Sequence, residues 1–529
     1  MFQTLFCFHL FYYLTQNKLN DKFLKMTKNK IIFLILVFLY LIIFFYEVNN
    51  IGLIWDEYDY IQSSQNHLKL LKNFFSLNNN EKKKLIEFGF QHPAFIRWIQ
   101  GLCYKYLKIF DIPYINFRVG NIFFLFLFFI GSYILINHFF NVEIYLIFLI
   151  LNLLNLKTIF YYSVGAMDFA VVSFYILTAA LFLLDFNKKT NIIFFIISVS
   201  LGFAAKLNYV IILFPCLLYS FFYEKKKFFI CILSIFFMFF SLYLFYPFLW
   251  SAPIRHLKQY LLFHLRHFQN YEYYFHKIYN PETDVIPWHY PIIHFLTQNS
   301  ELSIITGLIG TILFLKNIKK KENQFLLFVC WLPLLLFFKP NTPCYNGIRL
   351  FLQSAILVNI FSAYAIFKIF QKKKLKYFFF VGLLFLLNLF NYVKYLKYPG
   401  SYYNSFICGA YGAEKFGLQI DVWGENLTIE LCNKINQIIP DNKKIAIIGN
   451  HPNTAKYLQE INILKKTFIL NPEEEFIVND INKYDYLIVL NNKSLWNSEI
   501  FSEIKKREKI IYSKKANGIE LVYILRINK

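Results

Sequence analysis

The sequence predicts an all-α polytopic membrane protein with external loops and a small C-terminal α/β domain. Of its 529 residues, 57% are hydrophobic and only 16% are charged, whereas a soluble domain has about 45–50% apolar and about 25% charged residues. About eleven apolar runs are long enough to cross roughly 30 Å of hydrocarbon as helices. Lysine clusters lie between alternate runs, which is typical of a membrane topology.

The apolar runs give the predicted transmembrane helices in order. They lie near 30–47, 118–138, 143–162, 168–186, 190–206, 207–223, 228–249, 301–317, 324–339, 349–370 and 375–393. If the first helix enters from the cytoplasm, the lysines at 188–189, 225–227 and 319–321 all face the cytoplasm, as the positive-inside rule requires. The formal net charge of +23 therefore reflects topology. No long basic tract with interleaved aromatic residues faces solvent, so nucleic acid is not a predicted partner.

This orientation divides the chain into three predicted parts. Residues 1–29 form a cytoplasmic N-terminal segment, residues 30–393 a transmembrane domain, and residues 394–529 a soluble C-terminal domain. The external loops 48–117 and 250–300 and the C-terminal domain lie on the non-cytoplasmic face of the plasma membrane. The C-terminal domain alternates short apolar runs with helix-like stretches, which predicts a small α/β fold with a structural or accessory role.

Two acidic residues follow the first predicted span. Asp56 and Glu57 stand a few residues beyond its end, between aromatic residues. Carboxylates at a membrane surface could supply a general base and a ligand for a metal ion or a hydroxyl group. The alternative is an acidic helix start, because negative side chains stabilise the N-terminus of a helix.

Isolated cations lie at the predicted outer rim of the spans. Arg118 opens the second span, Lys206 lies between two short spans, and Arg349 precedes a late span, with Asp168 at the same depth. Two or three such cations could hold a phosphate group. Each one alone is also explained as a side chain that extends to the membrane interface. His92, in the first external loop, is a further candidate for binding the substrate. The alternative is that it caps a helix.

No metal site is indicated by spacing. The eight cysteines have no CxxC or paired spacing. The histidines of the second external loop lack the HExxH pattern of a zinc site. The metal ligands therefore stay unassigned, and a divalent metal ion is left open as the one candidate cofactor.

Taken in order, these elements resemble the GT-C-fold glycosyltransferases that use polyprenyl-phosphate sugars. The resemblance is to the glycosyltransferase family 39-like group, with the bacterial relatives of protein O-mannosyltransferase and the aminoarabinose transferase. The matching elements are Asp56-Glu57, His92-Pro93, Arg118, Gly202-Phe-Ala-Ala-Lys206, Pro287-Trp288-His289-Tyr290 and Tyr345-Asn-Gly347-Ile-Arg349. They cover roughly residues 50–420. The chain departs from the pattern at Ala94 and Ala205, where the family often has Pro and Thr.

The resemblance implies that a sugar moves, with inversion, from a polyprenyl phosphate to a lipid, glycan or protein acceptor of the cell envelope. By that reading Asp56 is the general base, and Glu57 orients the acceptor or a metal. The implied substrate-binding residues are His92, Arg118, Asp168, Lys206, Tyr345 and Arg349. Among them, Arg118, Lys206 and Arg349 would stabilise the leaving phosphate, in that order of expectation. Membrane lipids are a further implied partner.

Two other classes of protein stay open at this point. A polymerase or ligase that uses polyprenyl-diphosphate oligosaccharides shares large external loops and rim arginines, but it does not require an acidic pair after the first span. A lipid or sugar transporter would also be a bundle of about eleven spans, but it would place ionisable residues near the middle of the bilayer.

Overall fold

The computed structural model describes residues 27–87, 91–265, 270–339, 342–371, 375–470 and 480–527. Only the last three residues of the predicted N-terminal segment 1–29 are among them. The first helices, α1 to α9, are Thr27–Asn50, Trp55–Lys72, Asn79–Glu87, Phe95–Tyr106, Pro113–Val119, Asn121–Phe139, Val142–Leu153, Leu156–Ser163 and Asp168–Phe182. Helices α10 to α19 are Lys189–Phe203, Leu213–Tyr223, Lys225–Phe245, Phe248–Ser251, Pro253–Leu265, Tyr290–Gln298, Glu301–Leu315, Lys321–Leu335, Leu352–Gln371 and Leu375–Tyr395.

The C-terminal part adds short helices and most of the strands. Helices α20 to α23 are Gly409–Lys415, Ile429–Ile438, Thr454–Glu460 and Ser498–Lys506. Strands β1 to β6 are Glu272–Tyr274, Lys277–Tyr279, Ile445–Ile448, Tyr486–Leu490, Ile510–Ala516 and Ile519–Arg526. Short stretches of 3₁₀ helix connect these elements at Leu207–Ile212, Leu336–Phe338, Arg349–Phe351, Pro399–Ser401, Ser405–Ile407, Ile481–Lys483 and Lys493–Leu495.

The chain is a multi-pass membrane protein, as its composition predicts. Six helical stretches in the described residues are long and apolar enough to cross a membrane: Asn29–Asn50, Pro113–Phe139, Lys225–Phe245, Lys321–Phe338, Arg349–Gln371 and Tyr377–Tyr395. The number becomes up to eight if each of two bent helix pairs is one span. Every one of the eleven predicted runs contains a helix, but three of them are shorter apolar helices. The exact number of eleven spans therefore stays a prediction.

One predicted span is broken by a bend, and another is a single helix that begins at a bend. The span expected at 143–162 bends by 77° between α7 and α8, because the Asn155 side chain accepts hydrogen bonds from the backbone N–H groups of Lys157 and Thr158 and so caps a new helix. The span expected at 301–317 follows α15 across a bend of 114°, where Ser300 caps α16 in the same way. A polar cap inside an apolar run does not appear in a hydropathy profile.

Burial divides the membrane helices into inner and outer ones. The most apolar window of Arg349–Gln371 is 89% buried and that of Pro113–Phe139 is 72% buried, whereas Asn29–Asn50 and Tyr377–Tyr395 are each only 28% buried. An apolar helix left largely uncovered by protein is expected to face lipid. Arg118 and Arg349 lie near the first residues of these two inner stretches.

The predicted small C-terminal α/β fold is confirmed. Its sheet has the strand order β3-β4-β6-β5, in which β3 and β4 are parallel and the other neighbours are antiparallel. Side chains of β3, β4 and β6, such as Ile447, Ile488 and Ile524, are buried in the hydrophobic core. The antiparallel hairpin β1–β2 in the second external loop is an addition that the sequence analysis did not predict.

The C-terminal segment holds the turn between α1 and α2. The backbone N–H of Gly52 donates to the carbonyl of Glu425 at 2.8 Å, and that of Trp55 donates to the carbonyl of Trp423 at 2.8 Å. Asn450 Nδ2 donates to the carbonyl of Leu53 at 2.7 Å. The acidic start of α2 is therefore positioned by residues almost 400 positions away along the chain. The boundary predicted at 394 and the side of the membrane on which these parts lie stay predictions.

Candidate active site

Glu57 fixes the start of α2 from within the protein. Its Oε1 accepts from Arg118 Nε at 2.6 Å and from the backbone N–H of Gly165 at 2.6 Å. Its Oε2 accepts from Arg118 Nη2 at 2.7 Å and from the backbone N–H of Ile54 at 3.0 Å. Four hydrogen bonds on a fully buried carboxylate leave it no capacity for a substrate. Glu57 therefore orients the helix turn that carries Asp56.

Arg118 is equally occupied. Besides its two bonds to Glu57, its Nη1 donates to the carbonyls of Val48 at 2.9 Å and Ile51 at 2.8 Å. Its Nη2 also donates to the carbonyl of Gly52 at 2.6 Å. All five guanidinium N–H groups are thus used, and three of them bind carbonyls at the end of α1. The sequence-based assignment of Arg118 to the donor phosphate stays a prediction, but these contacts favour a structural role.

Four other charged side chains form an alternating chain. Arg349 Nη2 pairs with Asp56 Oδ2, and Arg349 Nε lies 3.2 Å from Asp168 Oδ2. Lys206 Nζ lies 2.8 Å from Asp168 Oδ1. Asp168 therefore holds both cations side by side, although they come from distant parts of the chain.

Unused hydrogen-bonding atoms distinguish this chain of charges from the Glu57–Arg118 pair. Asp56 is 19% exposed at its side chain, and its Oδ2 also accepts from Tyr60 OH at 3.3 Å. Within the described residues, Asp56 Oδ1 and Arg349 Nη1 form no hydrogen bond, and Lys206 Nζ forms one of its three. One acceptor and several cationic donors are therefore free to bind other molecules.

The turn that precedes Arg349 is held by the second external loop. Asn346 and Gly347 both adopt left-handed backbone conformations, with φ of 58° and 64°. Glu272 Oε2 accepts from the N–H of Asn346 at 3.0 Å, and Tyr290 OH accepts from the N–H of Gly347 at 2.8 Å. Tyr290 OH in turn donates to Glu272 Oε1 at 2.9 Å. This turn orients the backbone that carries Arg349 and the buried Tyr345.

His92 lies at the edge of the same site. Its ring stacks on that of His264, with 5.5 Å between centroids and 28° between planes. Its backbone carbonyl accepts from Arg97, a buried cation that also donates to Ser63. Burial, with the positive charge of Lys206 next in size, lowers the pKa of His92 well below its usual range. His92 is thus a neutral neighbour of the cations, and Arg97 is a nearby charge that the sequence analysis did not assign.

Two residues of the C-terminal segment, Trp423 and His451, contact residues of the site. The guanidinium of Arg349 lies over the ring of Trp423, 4.2 Å from its centroid, which is a cation–π contact. The ring of His451 stacks on Tyr58 at 4.7 Å, and its Nε2 lies 3.6 Å from Asp59 Oδ1. Burial, and then the charge of Asp56, raises the pKa of Asp59 to about 6. The predicted accessory role of this segment therefore includes contact with the site.

Comparison with solved structures gives the fold a name. The crystal structure of ArnT from Cupriavidus metallidurans bound to undecaprenyl phosphate matches 93% of this chain and 97% of its own, with a TM-score of 0.51 and 8% identity. ArnT in the apo state matches the same shares with a TM-score of 0.52 and 9% identity. The archaeal oligosaccharyltransferase AglB from Archaeoglobus fulgidus, in complex with an inhibitory peptide and a dolichol-phosphate, matches 89% of this chain and 70% of its own, with a TM-score of 0.50 and 11% identity.

The chain has a GT-C fold. The match extends over nearly the whole of this chain and of ArnT, so the resemblance predicted from the sequence is confirmed at the level of fold. No protein-family model matches the chain, and no curated protein matches it either.

Within this GT-C fold the predicted site residues separate into two groups. One is the network that joins Asp56, Asp168, Lys206 and Arg349, with His92 and Tyr345 beside it. The other is the closed pair of Glu57 and Arg118. The sequence analysis did not assign Glu272, Tyr290, Arg97 and Trp423. Tyr290 belongs to the Pro-Trp-x-Tyr element, and this element is the sequence signal that could have identified it.

The described residues include no group of three or more His, Cys, Asp or Glu side chains arranged to hold a metal ion. The cysteines among them are all free thiols. The divalent metal left open by the sequence analysis therefore has no assigned ligand set in the GT-C site.

Glu272 is expected to make the stability of the protein depend on pH. Burial raises its pKa to about 7, compared with about 4.3 for an unfolded chain. Because the folded pKa is the higher one, the contribution of Glu272 to stability is fully present below about pH 4.3 and is lost as the pH rises through about 7. Glu272→Gln should therefore show a smaller fall in Tm over this pH range than the wild type, measured by thermal unfolding in detergent. Glu282→Gln, an exposed site in the same loop, should keep the wild-type slope, and an unchanged slope in Glu272→Gln would contradict the assignment.

Proposed function

We propose that this protein is an integral membrane glycosyltransferase that moves a sugar from a polyprenyl-phosphate donor to an envelope acceptor. The acceptor is a lipid, a glycan or a protein, and the reaction takes place on the non-cytoplasmic face. The observation that carries the proposal is the chain of charges Asp56–Arg349–Asp168–Lys206. Among the residues that the structure describes, it ends in unused donors on one side and an unused carboxylate oxygen on the other. The GT-C fold supports it, because ArnT was solved with undecaprenyl phosphate and AglB with a dolichol-phosphate.

Asp56 takes the proton in the proposed reaction. The acceptor hydroxyl gives its proton to Asp56 Oδ1 as its oxygen attacks the anomeric carbon, which needs a contact of about 3 Å. The ion pair with Arg349 fixes the position of this carboxylate through its Oδ2. The bond between the anomeric carbon and the phosphate oxygen then breaks, with inversion at the carbon. Tyr60, which donates to the other oxygen of Asp56, keeps the carboxylate oriented.

The cations stabilise the leaving group. A phosphate that leaves a sugar gains negative charge, and fixed cationic donors stabilise such a charge in a water-poor site. Lys206 and Arg349 have unused N–H groups and share Asp168 as an anchor. Arg118 has no unused N–H, so we propose it as a positioning residue. Asp168 begins α9, and Lys206 and Arg349 lie just outside α10 and α18, which differs from the mid-membrane site expected of a transporter.

A donor panel tests the proposal. Detergent-purified protein is incubated with a crude envelope acceptor fraction and, in separate reactions, with radiolabelled polyprenyl-phosphate sugars or polyprenyl-diphosphate oligosaccharides. Transfer is measured by extraction of the labelled product. We expect transfer from at least one monophosphate donor and none after heat inactivation. Transfer only from polyprenyl-diphosphate oligosaccharides would favour the polymerase or ligase class. The absence of transfer from every donor, with folded protein, would contradict the proposal.

Trp423 offers a prediction that links the C-terminal segment to this activity. Trp423→Leu removes the ring below the Arg349 guanidinium, a contact of about 0.5–2 kcal/mol. The kcat/KM for the donor should therefore fall by about two- to thirtyfold. Trp496→Leu is the matched control, since Trp496 is a buried tryptophan that packs on Phe501 and Tyr523 in the C-terminal sheet. Equal effects of the two substitutions would show that Trp423 acts through stability alone.

A further inference from the structure

Two loop segments meet beside the end of a membrane helix. Trp250 follows the span Lys225–Phe245, and its Nε1 donates to the carbonyl of Tyr243, in the last turn of that span, at 2.7 Å. The ring of Phe74, from the segment that follows α2, packs edge-on against the ring of Trp250, with 6.1 Å between centroids. A tryptophan at the end of a span is typical of the membrane–water interface. The two segments therefore meet at the level of the membrane surface.

Both segments present uncovered apolar side chains at this level. Phe75 is 98% exposed and Ile254, four residues beyond Trp250, is 87% exposed. These are the two largest values among the large apolar side chains that the structure describes. Leu71 and Phe74 are exposed as well. A group of uncovered apolar side chains marks an interaction surface, and the boundary between headgroups and acyl chains covers such side chains in a membrane protein.

Basic side chains border the apolar ones. Lys82 Nζ lies 4.8 Å from the centroid of the Phe74 ring, so α3 lies against the aromatic side chains. Residues 69–87 contain five lysines and two glutamates, and residues 250–265 contain an arginine and a lysine but no Asp or Glu. The exposed cations of the two segments are Lys69, Lys72, Lys83, Lys84, Arg255 and Lys258. Together with Leu71, Phe74, Phe75, Trp250 and Ile254, they form what we call the basic–apolar surface.

We propose that the basic–apolar surface binds the headgroups of anionic phospholipids. Aromatic and aliphatic side chains that enter the interface, with Lys and Arg beside them, are the pattern that attracts negatively charged lipids. Each such cation strengthens the binding to an anionic membrane surface by about fivefold. A neutral headgroup would not balance the cations, and a soluble polyanion would leave Phe75 and Ile254 uncovered. An anionic lipid is the partner that satisfies both requirements.

Helix α14 connects this surface to the candidate active site. Ile254 lies in the first turn of α14, Pro253–Leu265. Near the other end of the helix, His264 stacks on His92, and its Nε2 lies 3.0 Å from the carbonyl oxygen of Gln91. Lipid bound at the first turn therefore holds at the membrane surface a helix whose last turn contacts the site. The inference goes beyond the proposed glycosyl transfer and does not depend on it.

Photo-crosslinking reports the neighbours of single positions. Phe75 or Ile254 is replaced by p-benzoylphenylalanine in the full-length protein, which is reconstituted in vesicles of equal parts phosphatidylcholine and phosphatidylglycerol. After irradiation, the adducts at each position are identified by mass spectrometry. We expect lipid adducts at both positions, with phosphatidylglycerol in excess by at least about fivefold. The same replacement of Ser502, which is exposed on α23 beside the separate core of the C-terminal sheet, should give no lipid adduct.

A charge variant separates lipid charge from apolar contact. Lys82→Gln, Lys83→Gln and Lys84→Gln, combined with p-benzoylphenylalanine at position 75, should keep the lipid adducts but lower the preference for phosphatidylglycerol at least about threefold. The matched control replaces the three lysines at 319–321, a cluster between α16 and α17, and should keep the preference of the protein with its lysines intact. The thermal unfolding of each variant is measured to show that it is folded.

Three results would overturn the proposal in folded protein. The absence of lipid adducts at both positions would show that the surface does not enter the membrane. Adducts to a second copy of the chain in place of lipid would make it a protein interface. Equal adducts of the two lipids, or a preference unchanged by the substitutions at 82–84, would show that the surface contacts lipid without recognising its charge.

Discussion

Asp56→Asn should reduce sugar transfer by about two to four orders of magnitude, the contribution of a positioned general base. The amide keeps the shape of the side chain and can still contact Arg349 through its oxygen, but it cannot accept a proton. Because Asp56 is partly exposed and lies at the edge of the site, the variant should reach wild-type expression and Tm. The measurement is transfer from the donor identified with the panel, under saturating donor and acceptor.

Asp59→Asn is the matched control for this variant. Asp59 lies on the same helix, about one turn further along, and its side chain is 50% exposed. Among the described residues it forms no ion pair with Arg349, and its carboxylate lies beside the ring of His451 instead. Asp59→Asn should therefore retain most of the activity at neutral pH. Normal transfer by Asp56→Asn would show that Asp56 is not the base. Equal losses in both variants would show that proton transfer needs both carboxylates.

Arg118→Ala should destabilise the protein rather than weaken donor binding. The substitution leaves the Glu57 carboxylate buried without its counter-charge, and three carbonyls at the end of α1 lose their donors. Removing one partner of a buried ion pair costs about 3–5 kcal/mol. We therefore expect poor accumulation of the variant and a large fall in Tm, measured by thermal unfolding of the membrane-extracted protein.

Lys206→Met is the comparison that distinguishes a cation that binds the donor phosphate from a cation that stabilises the fold. Lys206 forms one ion pair at a site with free donors, so its loss should affect donor kinetics more than stability. The sequence alone ranked Arg118 first among the phosphate ligands, which implies a raised KM for the donor in Arg118→Ala. A folded Arg118→Ala protein with only that change would support the sequence-based ranking over the role proposed from the contacts.

The charged residues show why sequence reasoning could select candidate cations but could not foresee which of them have unused hydrogen-bond donors. Arg118, Lys206 and Arg349 look alike in the sequence, since each is a single cation at the end of an apolar run. Their partners are 61, 38 and 181 residues away, respectively. Whether a guanidinium has unused N–H groups depends on these distant contacts, and no local pattern reports them.

The C-terminal segment shows the same limit. Its alternation of short apolar runs predicted the small α/β fold, because strand periodicity is a local property. Its contact with the site, through Trp423 and the carbonyls of the 421–426 turn, was not predicted. An aromatic residue in a turn looks the same in a sequence whether it covers an arginine or fills a core.

The sequence by itself determined the membrane character, the α/β nature of the C-terminal part and the position of Asp56 just beyond the first apolar helix. These properties follow from composition, apolar length and order along the chain, and each residue contributes to them independently of its distant neighbours. The tertiary structure alone decided that Glu57 and Arg118 neutralise each other and that Asp168 holds Lys206 and Arg349 together. The physical reason is that buried charges are stable only when paired, and the pairing is set by which helix ends meet in space.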